Sequence, residues 1–485
     1  MDPVPTLDVF ILTFNAAKHQ INVPVFARHL YNAFSRNASS LPELVVISLQ
    51  EMAPLARALI GSYILNPYFQ RYESAVNIAA AKFADEVECQ NLPKDHPYTL
   101  VTARNVGMTG ILLFARDPNT VKNLRSTVIA FGAGDMPNKG AVGLRMHYDK
   151  RNTDGSLLAS TELTFVGAHL AAMEWNLEKR NKNWETIVSG LVFENPKEIA
   201  ESQATQSTVR GDDDSEAQQA LLPQDTTEKS LHNISIYKPG AHLFVAGDLN
   251  YRISKSSPTP DSVFPDTSPD TVNSNHFSPF LARDQLTAER DAGRTLHGLS
   301  EAEILFPPTY KLVVSPKPKP HTGLDRIGDD EDDVDEVDWS WALHRWPGWC
   351  DRILYQEIPW WARETVGDKS MKILDYNALP PVRSSDHRAV FLRVEVPMLE
   401  HDCLIPPESA LESELRTKGD SPLPVDPRIK LPFPIDLQSW ERRAYIQKWE
   451  PTIGWSMLIS QSKEGLVVFV TLLLVGLGTW WYRSW

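Results

Sequence analysis

Cysteine is scarce. Only Cys89, Cys350 and Cys403 occur in 485 residues, too far apart for a close-spaced metal or redox motif, so a disulfide framework is excluded and a reducing cytosol is the expected setting. Positive charge is also in deficit, with 48 Lys and Arg against 62 Asp and Glu and a formal charge of −14. Such a balance argues against polyanionic partners. The surplus is concentrated, however: Asp329 to Asp338 carries eight acidic residues and Asp212 to Glu216 four, which leaves the rest near neutral. Met1 to Pro5 lacks the basic start and apolar core of a signal peptide, so nothing there predicts secretion. No internal repeat is present.

What is there begins at the far end. Gly465 to Trp481 (GLVVFVTLLLVGLGTWW) carries no charge. At 1.5 Å per residue it makes a helix of about 26 Å, the span of a thin bilayer such as the endoplasmic reticulum. Lys463 and Glu464 mark one interface; Trp480, Trp481, Tyr482, Arg483 and Trp485 crowd the other. The pattern predicts a membrane-spanning helix over 465–482, tail-anchoring a catalytic domain on the cytoplasmic face.

Short apolar runs recur at 8–15, 44–51, 110–117, 163–170, 242–250 and 389–396, each of strand length. LVVISL and HLFVAG are continuously apolar, which predicts strands covered on both faces and a layered α/β (α+β) architecture. Helices are expected over Pro24 to Ser35 and Glu174 to Phe193. Four strands end in polar residues that a core would reject: Asn15, Gln50-Glu51, His169, and Asp248 with Asn250. Strand ends are where the ligand sites of layered α/β folds gather. Residues 1–396 form the expected catalytic domain, with mobile insertions at about 201–230 and 315–337. Residues 397–464, rich in proline and charge, read as a partly extended tether.

These strand ends supply a carboxylate for a hard metal (Glu51), amides to assist it (Asn15, Asn250) and an acid beside a histidine (Asp386-His387), the mixture that Mg²⁺-assisted phosphoryl transfer requires. The blocks PNKGAVGLR (137–145), HLAAMEWNLEKRN (169–181), GDLNYRI (247–253), PPTYK (307–311), WCDRIL (349–354) and SDHRAV (385–390) resemble, in order, the signature blocks of inositol polyphosphate 5-phosphatases. TFN (13–15) and LQE (49–51) resemble the wider endonuclease/exonuclease/phosphatase superfamily. The resemblance spans about residues 8–396, and the tail adds a likeness to tail-anchored fungal members.

That resemblance implies a DNase I-like four-layer sandwich of two mixed, mostly antiparallel β-sheets flanked by helices. It implies that Glu51 and Asn15 bind Mg²⁺, that Asp248 orients or deprotonates the attacking water, and that Asn250 holds a phosphate oxygen. His169 and His387 donate to the phosphate, Asp351 pairs with His387, and Asp386 orders the shell around them. Asn138, Lys139, Tyr310, Lys311 and Arg345 approach the ring phosphates, with Arg352 in support. The implied substrate is a phosphoinositide lipid, phosphatidylinositol 4,5-bisphosphate, met by a monomer at the membrane without nucleic acid. Four departures stand out: Pro137 where glycine is usual, Met173 for a histidine, Val245-Ala246 for a tryptophan, and Leu343 for a lysine. The rivals are a superfamily nuclease, a sphingomyelinase-like hydrolase and a non-catalytic lipid-binding adaptor; the first two have no need of the NKG, PPTYK and WCDR blocks.

Overall fold

The computed structural model describes residues 4–86, 96–132, 136–152, 154–209, 222–266, 277–315, 337–366, 370–417 and 425–485. Along the chain run β1 (Thr6–Asn15), α1 (Val23–Ser35), β2 (Leu44–Gln50), α2 (Leu55–Ile60), α3 (Asn66–Glu86), β3 (Thr99–Val106), β4 (Thr109–Ala115), β5 (Val121–Ala130), β6 (Gly140–Arg151) and β7 (Leu157–His169). Next come α4 (Leu177–Gly190), α5 (Pro196–Val209), α6 (Leu222–Ile234), β8 (Ala241–Asp248), α7 (Ser278–Leu281), α8 (Gln285–Asp291), β9 (Leu312–Val314), β10 (Trp339–Trp341) and β11 (Asp351–Tyr355). The last are α9 (Trp360–Val366), β12 (Lys372–Ala378), β13 (Val390–Pro397), α10 (His401–Leu404), α11 (Glu408–Thr417), α12 (Ser439–Ser460) and α13 (Lys463–Arg483).

Two sheets carry the fold, one ordered β12-β13-β1-β2-β4-β3 and the other β11-β8-β7-β6-β5. Only β1 with β2 and β7 with β8 pair in parallel among them. The strands show why continuously apolar runs were needed. Side chains alternate across a strand: Val9, Ile11, Leu44 and Val46 enter the core between the sheets, where they meet Val142, Phe165 and Phe244. Phe10, Leu12, Phe14, Val45 and Ile47 enter the opposite core beneath α1 and α3, with Phe26, Leu30 and Tyr72. A third core sets Val166, Val245 and Leu243 against Trp184, Ile187 and Val188 of α4. Helix, sheet, sheet, helix is the four-layer sandwich expected. α1 starts where the sequence marks it, with the Asn22 side chain capping the Val25 N–H and proline in the first turn.

Two expectations change, and one falls outside the described residues. In the 201–230 insertion α5 runs on to Val209 and α6 begins at Leu222, so its flanks are packed helices rather than loop; the acidic run from Asp212 lies outside the described residues. The other insertion leaves from the end of the β9–β10 hairpin, where Ser315 N–H donates to Asp338 O at 2.8 Å, and 316–336, with most of the second acidic run, lie outside them.

The second change is the tether. From 425 onward the chain docks on the sandwich: Pro427 O meets His232 Nε2 at 2.9 Å, Arg428 lies over the Trp361 ring, and Asp436 N–H donates to Ser189 O. α12 then packs on α2, and Arg443 donates to Thr127 and Val128 O of β5. Proline and charge were read as extension, but the charged groups are hydrogen-bonding partners of the sandwich. The predicted apolar helix is present as α13, with Val467, Leu474 and Leu477 exposed. Among the described residues no helix is long and apolar enough to cross a membrane.

Candidate active site

The register of the strands gathers the polar ends. Asn15 lies opposite Gln50, Gly140 opposite His169, and Asp248 opposite both His169 and Asp351. Each is the residue at which an apolar strand stops, so one end of the sandwich becomes polar while its middle stays dry. Gly247 makes the tightest of these junctions possible, since a Cβ there would lie 2.0 Å from Ala168 O. Two side chains then tie the sheets together: Ser48 Oγ donates to Ala246 O at 3.0 Å, and Asn15 Nδ2 donates to Asp248 Oδ2 at 2.9 Å.

Asp248 is the hub. Its carboxylate also accepts from Asn250 N–H at 3.1 Å and lies 3.2 Å from His169 Nε2. Burial by itself would raise its pKa, but the hydrogen bond with His169 and the charges of His387 and Lys139 hold it far below the usual carboxylate range. Asp248 is therefore ionised at any physiological pH. His169 is fully buried, and burial with the Lys139 charge lowers its pKa despite Asp248, so the imidazole stays neutral.

His387 shifts the other way. Its Nδ1 lies 2.9 Å from Asp351 Oδ2, which also accepts from Thr309 Oγ1 at 2.7 Å. Burial opposes its charge, yet Asp351, Asp248 and Asp386 together push the pKa up to about 9. The backbone that carries the ring is positioned by Ser385, whose hydroxyl donates to Asn15 O at 2.6 Å and accepts from the His387 backbone N–H at 3.0 Å. Tyr310 packs against it, with ring centroids 4.5 Å apart.

A cationic wall completes the site. Lys139, half-buried beside His169 Nε2, has its pKa brought down to about 8 by burial against the pull of Asp248 and Glu51. Arg252 lies over Tyr310 at 4.4 Å and donates to the Asn250 amide oxygen and carbonyl. Lys311 pairs with Asp386, and Arg345 bonds Glu174 at 2.6 Å and the Met173 sulfur at 3.2 Å. Met173, one of the departures, thus serves as an acceptor for Arg345. Asn138 and Leu343 are exposed, Pro137 packs over Gly107, and Ala246 sits in the core between the sheets. Arg352 differs from the expectation. It is sealed by Glu301 and Asp284, so it braces β11 and does not reach a substrate.

Two groups could hold a cation. Asp248, Asp351 and His387 offer ligand atoms within 4.8 Å of one another. A His387 kept protonated has no lone pair for a metal, however, and its Nδ1 is committed to Asp351. Glu51 with Asn15 fits a hard ion better because both offer oxygen. The Glu51 carboxylate is partly exposed, and although burial would raise its pKa, the nearby His169, the Lys139 charge and the hydrogen bond and charge of Lys18 lower it, so it is ionised. Its backbone is left-handed at φ 44°, as is that of Asn250 at φ 59°, strain of the kind that functional sites retain. Lys18, 3.0 Å from Glu51, occupies the flank a cation would take or share.

Every residue predicted from the catalytic and metal blocks meets at this one end. Arg252, Thr309, Ser385, Glu174 and Lys18 were missed as individuals. The first four lie inside the quoted blocks, which was the available signal, whereas Lys18 had none beyond its nearness to Asn15.

The Endonuclease/Exonuclease/phosphatase family 2 profile matches residues 12–393. Among curated proteins the chain is similar to the type II inositol polyphosphate 5-phosphatase 14 of Arabidopsis thaliana, 28% identical over 258 residues, covering 52% of this chain and 19% of that protein. It is 26% identical over 355 residues to the polyphosphatidylinositol phosphatase INP53 of Saccharomyces cerevisiae, covering 72% and 23%. The chain thus spans about a fifth of the length of these relatives. Among solved structures, the inositol polyphosphate 5-phosphatase domain of SPsynaptojanin, in complex with inositol (1,4)-bisphosphate and calcium ion, aligns with TM-score 0.51 and 22% identity over 86% of this chain and 94% of that one, which shows the shared fold. With the profile match over most of its length and the site built from the matched blocks, this chain belongs to the Endonuclease/Exonuclease/phosphatase family 2.

Proposed function

We propose that the chain is a Mg²⁺-dependent phosphatase that removes the 5-phosphate of phosphatidylinositol 4,5-bisphosphate, and that α13 anchors it as a monomer in the endoplasmic reticulum membrane with the catalytic domain in the cytoplasm. One observation carries the reading: Asp248, fixed by Asn15 and Asn250, lies within 4.8 Å of His387, which is held by Asp351, and Lys139 and Arg252 flank them. That is the charge pattern for a phosphate monoester dianion attacked by water.

In this reading the phosphate lies against Lys139, Arg252 and His387, which donate to its oxygens as charge gathers there. Asp248, fixed by Asn15 and Asn250, holds the attacking water in line. Its strongly lowered pKa makes it a weak base, so it orients the water and takes the proton only as the bond to phosphorus forms. Asp351 keeps the proton on His387. Glu51 and Asn15 would hold the magnesium ion, which would supply Lewis-acid stabilisation of the phosphate charge. Tyr310, Lys311 and Arg345 meet the inositol ring and its remaining phosphate. The similarity to polyphosphoinositide and inositol polyphosphate 5-phosphatases supports the substrate class. The uncharged run of α13 and its exposed apolar side chains support the anchor.

Phosphate release from purified phosphoinositides and soluble inositol phosphates, each with magnesium and with a chelator, tests the reading. Release from phosphatidylinositol 4,5-bisphosphate in magnesium alone is the expected result. Chelator-insensitive release, or none from any 5-phosphorylated inositol, would overturn it.

A further inference from the structure

α12 has two faces of different character. The inner face, Arg443, Ile446, Glu450, Ile453, Gly454 and Met457, recurs at helical spacing and is half-buried to buried. It clamps the helix onto the sandwich. A Cβ on Gly454 would lie 2.8 Å from Ala56 O and 2.9 Å from Ile60 N, so glycine permits the close approach to α2. α2 begins four residues after Glu51, and the helix is therefore seated on the segment that leads out of the proposed metal site.

The outer face is aromatic. Tyr445, Trp449, Trp455 and Ile459 are 65%, 52%, 41% and 54% exposed. On a helix of 3.6 residues per turn they fall on one side, spread over about 21 Å and interspersed with Lys448, Thr452 and Ser456. Large apolar side chains left in water along a helix that has already found its core mark a second contact surface. Tryptophan and tyrosine among lysine, serine and threonine is the composition of a membrane–water interface, where an amphipathic ring has one edge in the acyl region and the other wet. The face also runs directly toward α13: α12 ends at Ser460, α13 begins at Lys463, and Gly465 closes against Ile459 O.

We propose that the outer face of α12 lies in the headgroup layer of the bilayer, a lipid contact separate from α13 that holds the catalytic domain in a fixed pose on its lipid surface. The proposal rests on the anchor reading for α13. Two contacts at different depths constrain orientation as well as distance, and the clamp on α2 carries that constraint to the segment after Glu51. A domain hung on α13 alone would tumble.

The full chain is labelled with an environment-sensitive fluorophore at one position at a time, Trp449→Cys or Leu473→Cys, with Cys89 and Cys403 changed to Ser. Each is mixed with phosphatidylcholine–phosphatidylserine vesicles bearing a nitroxide at the headgroup or at mid-chain. The proposal expects headgroup quenching at 449 to exceed mid-chain quenching about twofold or more, and the reverse at 473. Deep quenching at 473 with none at 449 would overturn the α12 contact and leave the anchor standing. Absence of quenching at both would remove the anchor and this proposal with it, and a 449 label shielded from lipid and from aqueous iodide alike would mean a protein partner or a second copy instead. The variant Tyr445→Ser/Trp449→Ser/Trp455→Ser, far from the catalytic groups in sequence, is expected to stay vesicle-bound, to lose about tenfold in turnover of vesicle lipid and to keep its rate on a soluble substrate. Unchanged vesicle turnover would count against the proposal.

Discussion

Arg352 and Arg252 are both buried, and they sit in opposite kinds of surroundings. Arg352 is closed by Glu301 through two nitrogens, at 2.6 and 2.5 Å, and by Asp284 at 2.9 Å, while Tyr376 donates to the same Glu301. Its charge is spent inside the protein. Arg252 bonds the carbonyl and amide oxygens of Asn250 and lies over the Tyr310 face, with the Asp248 carboxylate supporting its charge from farther off, and no ion pair with it is found among the described residues. Lys139 beside it is a second, half-buried cation whose proton is loosened by desolvation. A buried cation that is fully paired belongs to the structure; one left short of an anion is waiting for a ligand.

The largest expected effect comes from the anion at the centre of the open region. Asp248→Ala should lower turnover by about a thousandfold while binding of a non-hydrolysable phosphoinositide analogue survives, because the water loses its holder but the cationic wall remains. Comparable turnover in variant and parent would show that Asp248 only supports the fold. Next comes the closed region. Arg352→Met should destabilise the chain by about 3–5 kcal/mol in a denaturant titration, since it strands two buried carboxylates. Arg252→Met strands none, so stability should barely change while kcat/KM falls by about a hundredfold. If the two substitutions exchanged their effects, the distinction between paired and unpaired cations would be wrong.

Much of this was legible in the sequence because the chemistry sits where strands stop. A run such as HLFVAGDLN shows an apolar strand and its polar terminus in one glance, and the same holds for LVVISLQE and LTFVGAHL. What could not be read was partnership across sheets: nothing near Ser385 in sequence announces that its hydroxyl spans from the Asn15 carbonyl to His387, 370 residues away at its far contact. Arg352 was misjudged for a related reason. A basic residue inside a signature block has no visible counter-ion until Glu301 and Asp284 arrive from elsewhere. The tether was misread because composition reports solvation and propensity, whereas Arg443 and Gly454 act through particular contacts on β5 and α2.

Histidine repeats the comparison in protons and gives the smallest expected effect. His387 has acid groups around it and its pKa lies at about 9, whereas burial lowers His232 to about 4 against weak carbonyl and carboxylate help, and burial with the Arg428 charge lowers His242 to about 4. For His387 the folded pKa is above the unfolded value of about 6.5, so its contribution is complete below that value and is lost as pH rises through about 9. For the two interior histidines the folded pKa is below the unfolded one. The unfolded chain therefore binds more protons between about 6.5 and 4, and stability drops across that window as pH falls. Activity should respond on the alkaline side alone: kcat/KM should decline above about 8, as Lys139 gives up its proton, and more steeply above about 9 with His387. Lys139→Arg should carry the lower of these two breaks upward and leave the upper one in place, a shift that a pH–rate profile over 6 to 10 would read directly. A profile flat to pH 10 would mean that neither proton is used in turnover.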